Sequence, residues 1–165
     1  MTTTQLLRGS VVLCDFPFVE RPHQRGTSEH FCLFVHAVVE GDRNLVAVCY
    51  GTSRLDEKML AAHRSGAIFS VPKSLIKIST GFVAGDVVHF VCDHVALIPE
   101  TWINDRFKAR LDFMRADVRQ NDPARSRMFA SFEKVEPLMQ LAALQAVEHK
   151  RTTGRLGLPP GRSLR

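Results

Sequence analysis

Short apolar runs separated by glycine and proline dominate the first hundred residues, a pattern that is typical of a β-rich domain. Residues 11–16 are largely apolar on both alternating faces, as expected of a strand that is buried on both sides. Further strands are predicted over 30–39, 44–50, 67–71, 86–91 and 94–98. The glycine-containing link at 41–43 predicts a hairpin. Six short strands favour a compact barrel over a layered α/β fold.

Helical spacing of apolar residues replaces strand alternation after residue 100. One apolar stripe at i, i+4, i+7 and i+11 consists of Phe107, Leu111, Met114 and Val118. A second helix is predicted to start at Asp122 and Pro123, with aspartate as the N-cap and proline in the first turn. Pro137 is predicted to end or kink that helix before a last apolar stripe.

The length of 165 residues suits a single domain with a core of its own. The sequence therefore predicts a mainly β domain with helices over 1–149. Its barrel occupies about 8–100, and its helices occupy about 104–148. The glycine- and proline-rich end, 150–165, is predicted to be a basic disordered tail.

The formal net charge of +5 belongs to the last third of the chain. Residues 1–100 carry 9 Lys and Arg against 10 Asp and Glu, whereas residues 101–165 carry 13 against 7. The predicted barrel is thus nearly neutral. The basic tail is either a solvated chain end or an electrostatic contact for RNA or a protein.

Four cysteines are spread along strand-like segments, with no C-x-x-C pair. This spacing favours small buried apolar residues over a disulfide or metal framework. The local cluster Cys92-Asp93-His94 does not suggest zinc, because neighbours on a strand point to opposite faces. We expect no metal and no cofactor. The chain has no apolar stretch of membrane-spanning length and no signal-peptide pattern, so we expect a cytoplasmic protein without membrane contact.

Three sequence elements follow one another at a particular spacing. Residues 8–16 read RG-x-V-x-x-x-D-F, residues 24–26 read Q-x-G in a polar loop, and residues 52–53 read Thr-Ser at the end of an apolar strand. In this order they resemble the PemK/MazF family of toxin endoribonucleases, as a divergent branch. The resemblance covers roughly residues 8–100.

That resemblance implies a small SH3-like β-barrel with helices, usually a homodimer. Proteins of this type belong to type II toxin–antitoxin systems and cut single-stranded RNA without metal, through attack of the 2′-OH on the adjacent phosphate. Such a reaction needs a general base, an acid for the departing 5′ oxygen, and donors for the phosphorane charge. Single-stranded RNA and an antitoxin or other protein are therefore the expected partners.

The family pattern also implies where the site lies. It places the Thr52 and Ser53 hydroxyls at the scissile phosphate and assigns Asp93 to the acidic residue of a late strand. The loop that carries His23, Gln24 and Gly26 would flank the RNA groove. Each residue also has a structural interpretation, since hydroxyls can cap turns and carboxylates can accept backbone N–H groups.

The sequence departs from the family at the principal catalytic arginine, which usually follows the loop. Ser28-Glu29-His30 stands there instead. His30 can exchange a proton near neutral pH, and Arg25 can stabilise phosphate charge. Two hypotheses stay open: an endoribonuclease that uses these two residues together with the threonine, serine and aspartate, or a degenerate barrel that binds RNA or a protein without cutting.

Overall fold

The structure is a computed structural model that describes residues 6–57, 60 and 67–160. Within these residues, eight strands form one antiparallel sheet in the order β4-β7-β3-β2-β1-β8-β5-β6. The strands are β1 Ser10–Cys14, β2 His30–Glu40, β3 Arg43–Thr52, β4 Ile68–Pro72, β5 Ile76–Ile78, β6 Gly81–Phe82, β7 Val87–Pro99 and β8 Ala109–Leu111. The predicted mainly β fold with helices is confirmed.

Two α-helices follow the strands: α1, Ala116–Arg119, and α2, Pro123–Thr153. The predicted start of α2 is confirmed, because the Asp122 side chain accepts hydrogen bonds from the N–H groups of Ala124 and Arg125. Of the two outcomes predicted at Pro137, an end or a kink, the end is wrong, since α2 runs through this residue. The helix ends at Gly154, which has a left-handed φ of 75°.

The central strands carry buried residues on both faces, as the sequence predicted for the strand at 11–16. Along β3, Leu45, Ala47 and Cys49 enter a cluster that includes the buried residues of α2, which we call the helix-side core. Val46 and Val48 enter a second cluster on the other face, which we call the far-side core. The far-side core is completed by residues from outside the central strands, Leu6, Phe16, Ile103 and Leu158.

The sheet curls strongly around the helix-side core. Phe69 lies on the edge strand β4, and its ring contacts that of Phe113, just after β8, with centroids 6.4 Å apart. It also contacts Phe132 of α2 at 5.8 Å. Strands far apart in the sheet order therefore meet across one core, although the described sheet is not closed by hydrogen bonds between β4 and β6.

The predicted helix over 107–118 is wrong in its first part, whereas α1 includes residues 116–118. That first part includes the strand β8, in which Ala109 pairs with Val11 of β1 and with Ile78 of β5. The apolar residues at 107, 109, 111 and 113 also fit a period of two, so the same segment satisfies both periodicities. Pairing with the two neighbouring strands β1 and β5 makes residues 109–111 a strand.

The predicted disordered tail is also wrong for the described part of 150–165. Helix α2 includes the first of these residues, and Gly157 then exchanges backbone hydrogen bonds of 3.0 and 2.7 Å with Leu97 of β7. Leu158 is only 5% exposed. Residues 161–165 lie outside the described residues. No helix within the described residues is both long and apolar enough to cross a membrane.

Candidate functional site

A wide irregularity interrupts the ladder between β3 and β7. Cys49 pairs with Val95 and Gly51 pairs with Phe90, so Tyr50 alone lies opposite the four residues 91–94. The two strands predicted over 86–91 and 94–98 are thus one bent strand. Such bulges bend a strand and re-aim side chains, and they are frequent beside active sites.

Three polar rings meet at this bulge, and we call them the histidine–tyrosine cluster: His30 of β2, Tyr50 of β3 and His94 of β7. The Tyr50 ring centroid lies 5.1 Å from that of His30 and 5.4 Å from that of His94. All three side chains are half-buried. Phe16, which is 2% exposed, contacts the rings of Tyr50 at 5.0 Å and His94 at 5.3 Å and forms the floor of the cluster.

An ion pair borders the cluster on the β1 side. Nε of Arg25 donates to Oδ2 of Asp15 at 2.8 Å, and the Arg25 side chain is 52% exposed. The neighbouring Gly26 N–H donates to the Asp15 carbonyl, and a Cβ at this position would lie 2.0 Å from the Phe16 carbonyl oxygen. Only glycine permits this approach, so Gly26 holds the loop against the end of β1.

Burial favours the uncharged forms of two rings of the cluster, His30 and Tyr50. Burial lowers the pKa of His30 from its ordinary value of 6.5, and the opposing effect of the Asp15 carboxylate is smaller. Burial likewise raises the pKa of the Tyr50 hydroxyl from 10.0. His30 is therefore suited to accept a proton, and Tyr50 to donate a hydrogen bond.

Thr52 and Ser53 lie at the end of β3, where the sequence predicted them. The Thr52 hydroxyl donates to the Arg54 carbonyl at 2.9 Å and accepts from the Arg54 N–H at 3.2 Å, so it closes a turn. It also contacts the Tyr50 side chain. Ser53 is exposed.

The remaining predicted residues differ in their surroundings. Asp93 is half-buried in the bulge of β7, next to His94 in the chain. His23 is directed away from the cluster, because its Nδ1 donates to the Leu156 carbonyl at 2.8 Å. Gln24 is exposed in the same loop. The structure thus brings His30 and Thr52 to Tyr50, pairs Arg25 with Asp15, and assigns His23 to the C-terminal segment.

Sequence reasoning missed Tyr50 and His94 as site residues. Tyr50 was accessible from the pattern, because it shares a strand face with Thr52 two residues later. His94 was not accessible, because regular alternation gives no sign of the bulge that brings it to Tyr50. Within residues 6–57, 60 and 67–160, no group of three His, Cys, Asp or Glu side chains is placed to hold a metal ion.

Comparison with protein-family models, with curated proteins and with solved structures finds no match to this chain. The likeness to the PemK/MazF family therefore rests on the sequence elements at 8–16, 24–26 and 52–53.

Proposed function

We propose that this chain is a metal-independent endoribonuclease of the PemK/MazF type, which cuts single-stranded RNA. The observation that carries the proposal is the histidine–tyrosine cluster: two imidazoles, from the strands on either side of β3, contact one tyrosine ring. The Asp15 carboxylate, whose charge acts on His30, is paired with the exposed Arg25. Imidazoles are the side chains best suited to exchange protons at neutral pH. Two of them can serve the two proton transfers that cleavage by the 2′-OH requires.

In the proposed reaction, neutral His30 removes the proton from the 2′-OH, and the 2′ oxygen attacks the adjacent phosphorus. Protonated His94 gives its proton to the 5′ oxygen as the P–O5′ bond breaks. The products are a 2′,3′-cyclic phosphate and a 5′-OH end. Arg25 and the Tyr50 hydroxyl donate to the non-bridging oxygens, where negative charge develops. Attack by the 2′-OH restricts cleavage to RNA.

The proposal includes the SH3-like barrel, the homodimer and the cytoplasmic location that the resemblance and the sequence imply. The curl of the sheet around one core supports the barrel. Two exposed leucines of α2, Leu141 at 51% and Leu144 at 61%, support an apolar contact between two copies. Light scattering of the wild type and of Leu144→Glu tests the dimer, and a monomeric wild type at micromolar concentration contradicts it.

The test of cleavage is incubation of mixed-sequence single-stranded RNA with purified protein in EDTA, followed by detection of 2′,3′-cyclic phosphate ends. We expect cleavage that EDTA does not change and that both His30→Ala and His94→Ala reduce. His36→Ala is the matched control, because His36 is an exposed histidine elsewhere on β2. Intact RNA under these conditions contradicts the proposal.

The second candidate is a barrel of the same ancestry that binds RNA or a protein, such as an antitoxin, without cutting. It is favoured by two contacts: Arg25 is already paired with Asp15, and the Thr52 hydroxyl already closes a turn. Under this alternative the wild type binds RNA or a protein partner, and no cyclic phosphate ends form.

A further inference from the structure

A row of polar side chains crosses three strands beside the histidine–tyrosine cluster. Ser70 of β4 pairs with His89 of β7, and His89 pairs in turn with Thr52 of β3. The residues that flank His89, Val88 and Phe90, enter the helix-side core. Since side chains alternate along a strand, the row lies on the opposite face of the sheet.

The first two members of the row are joined by a short hydrogen bond. The Ser70 hydroxyl lies 2.6 Å from Nδ1 of His89. A hydroxyl can donate to a neutral ring and accept from a protonated one, so Ser70 fits both charge states of the imidazole. With Nδ1 engaged, Nε2 is the ring nitrogen directed to a ligand. A histidine held in this way is a pre-oriented donor.

The row is also correctly spaced from the cluster for a nucleic-acid strand. Tyr50 and Thr52 share one face of β3 and are two residues apart, a distance of roughly 6.6 Å along the strand. Successive phosphates of an extended single strand are separated by a similar distance. A nucleic-acid strand whose scissile phosphate lies at Tyr50 therefore brings a neighbouring phosphate to Thr52, the member of the row that lies directly opposite His89.

We propose that Ser70 and His89 form a phosphate subsite for the nucleotide next to the cleaved step of single-stranded RNA. Nε2–H of His89 donates to a non-bridging oxygen of that phosphate, and Ser70 holds the ring. The subsite rests on the proposed function, since it uses the same RNA strand. Neither residue takes part in the bond-breaking step.

The test compares two substrates that carry the same cleaved step. A dinucleoside monophosphate has only the scissile phosphate, whereas a hexanucleotide also has neighbouring ones. We expect His89→Ala and Ser70→Ala to lower kcat/KM for the hexanucleotide about tenfold, the effect of one hydrogen bond to a charged group. Cleavage of the dinucleoside monophosphate is expected to stay unchanged. Ser70→Thr, which keeps the hydroxyl, restores the hexanucleotide value, and His36→Ala changes neither.

Binding is measured in parallel with a hexanucleotide blocked by a 2′-O-methyl group at the cleaved step. We expect the same loss of affinity in both alanine variants. If the wild type cleaves both substrates and the variants have the same kcat/KM as the wild type on each, the subsite is wrong and the proposed function stands. If kcat/KM of the variants falls equally for both substrates, these residues belong to the cleavage centre and the subsite is wrong. If the wild type neither binds nor cuts RNA, the proposed function and the subsite both fail.

Discussion

The imidazole rings of His23 and His149 stack with centroids 5.5 Å apart and an angle of 18° between their planes. The contact joins the loop after β1 to the last turns of α2, and His23 also donates to the Leu156 carbonyl. Nε2 of His149 is buried and has no hydrogen-bond partner among the described residues. Three segments that are distant in sequence therefore meet at these two imidazole rings.

Acid is expected to weaken this contact. Burial lowers the pKa of His149 from 6.5, and the nearby His23 and Arg155 lower it further. Below about pH 6.5 the unfolded chain takes up a proton that the folded chain does not, so stability falls as pH decreases towards the lowered pKa. We expect Tm to fall between pH 7.5 and 5.5, and to fall less in His149→Phe, which keeps the ring without the titration. Equal pH slopes in the two proteins contradict this assignment.

Two glycines near the end of α2 allow the cost of backbone strain to be measured apart from the cost of steric overlap. Both have positive φ, but a Cβ on Gly157 would lie 1.8 Å from the Pro22 carbonyl oxygen, whereas a Cβ on Gly154 meets nothing within 4 Å. We expect Gly154→Ala to cost about 1 kcal/mol through strain alone, and Gly157→Ala about 3 kcal/mol through strain and overlap. Urea unfolding measures both. Equal costs mean that the segment shifts without penalty.

Among the described residues, the buried carboxylate of Asp112, 3% exposed, is paired with Arg125 of α2. Arg125 contacts it at 2.9 Å and also contacts Asp122. Arg125→Ala leaves a buried charge without its partner, and we expect a loss of about 3 kcal/mol in the free energy of unfolding. Arg127→Ala, at an exposed position of the same helix, is the control. Adding Asp112→Asn to Arg125→Ala should recover part of the loss, and no recovery contradicts the charge argument.

The two histidines of the cluster should each matter for RNA cleavage. We expect His30→Ala and His94→Ala to reduce kcat about a hundredfold, the lower range for loss of a general acid or base. Because the pKa of His30 is lowered, its protonation should reduce wild-type activity only below pH 6.5. This acid limb should be absent from the residual activity of His30→Ala. An unchanged pH profile would show that His30 is not the base.

The half-exposed guanidinium of Arg25 should contribute to binding the developing phosphate charge. We expect Arg25→Ala to reduce kcat/KM at least about tenfold, which corresponds to about 1.4 kcal/mol. Arg43→Ala, at an exposed position of the β2–β3 hairpin, is the matched control. A normal rate in Arg25→Ala, with cleavage still dependent on His30, removes Arg25 from the site.

The sequence by itself determined those features that depend on neighbouring residues. The apolar runs predicted β2 and β3 and the hairpin between them, because the side-chain period of a strand is local. Asp122 and Pro123 predicted the start of α2, because an N-cap acts within one turn. The same local patterns predicted Thr52 at a strand end and His30 at a strand start.

Only the tertiary structure decided what depends on distant partners. The segment 107–113 fits two periodicities, and pairing of residues 109–111 with β1 and β5 selects the strand. Residues 154–160 lack a local apolar pattern, and their position is fixed because Gly157 pairs with β7 and Leu158 packs into the far-side core. His94 reaches Tyr50 through a bulge that exists only between paired strands. Local preferences for helix or strand differ by only small free energies, so contacts between residues far apart in the chain select the conformation. The same contacts determine where the candidate site forms.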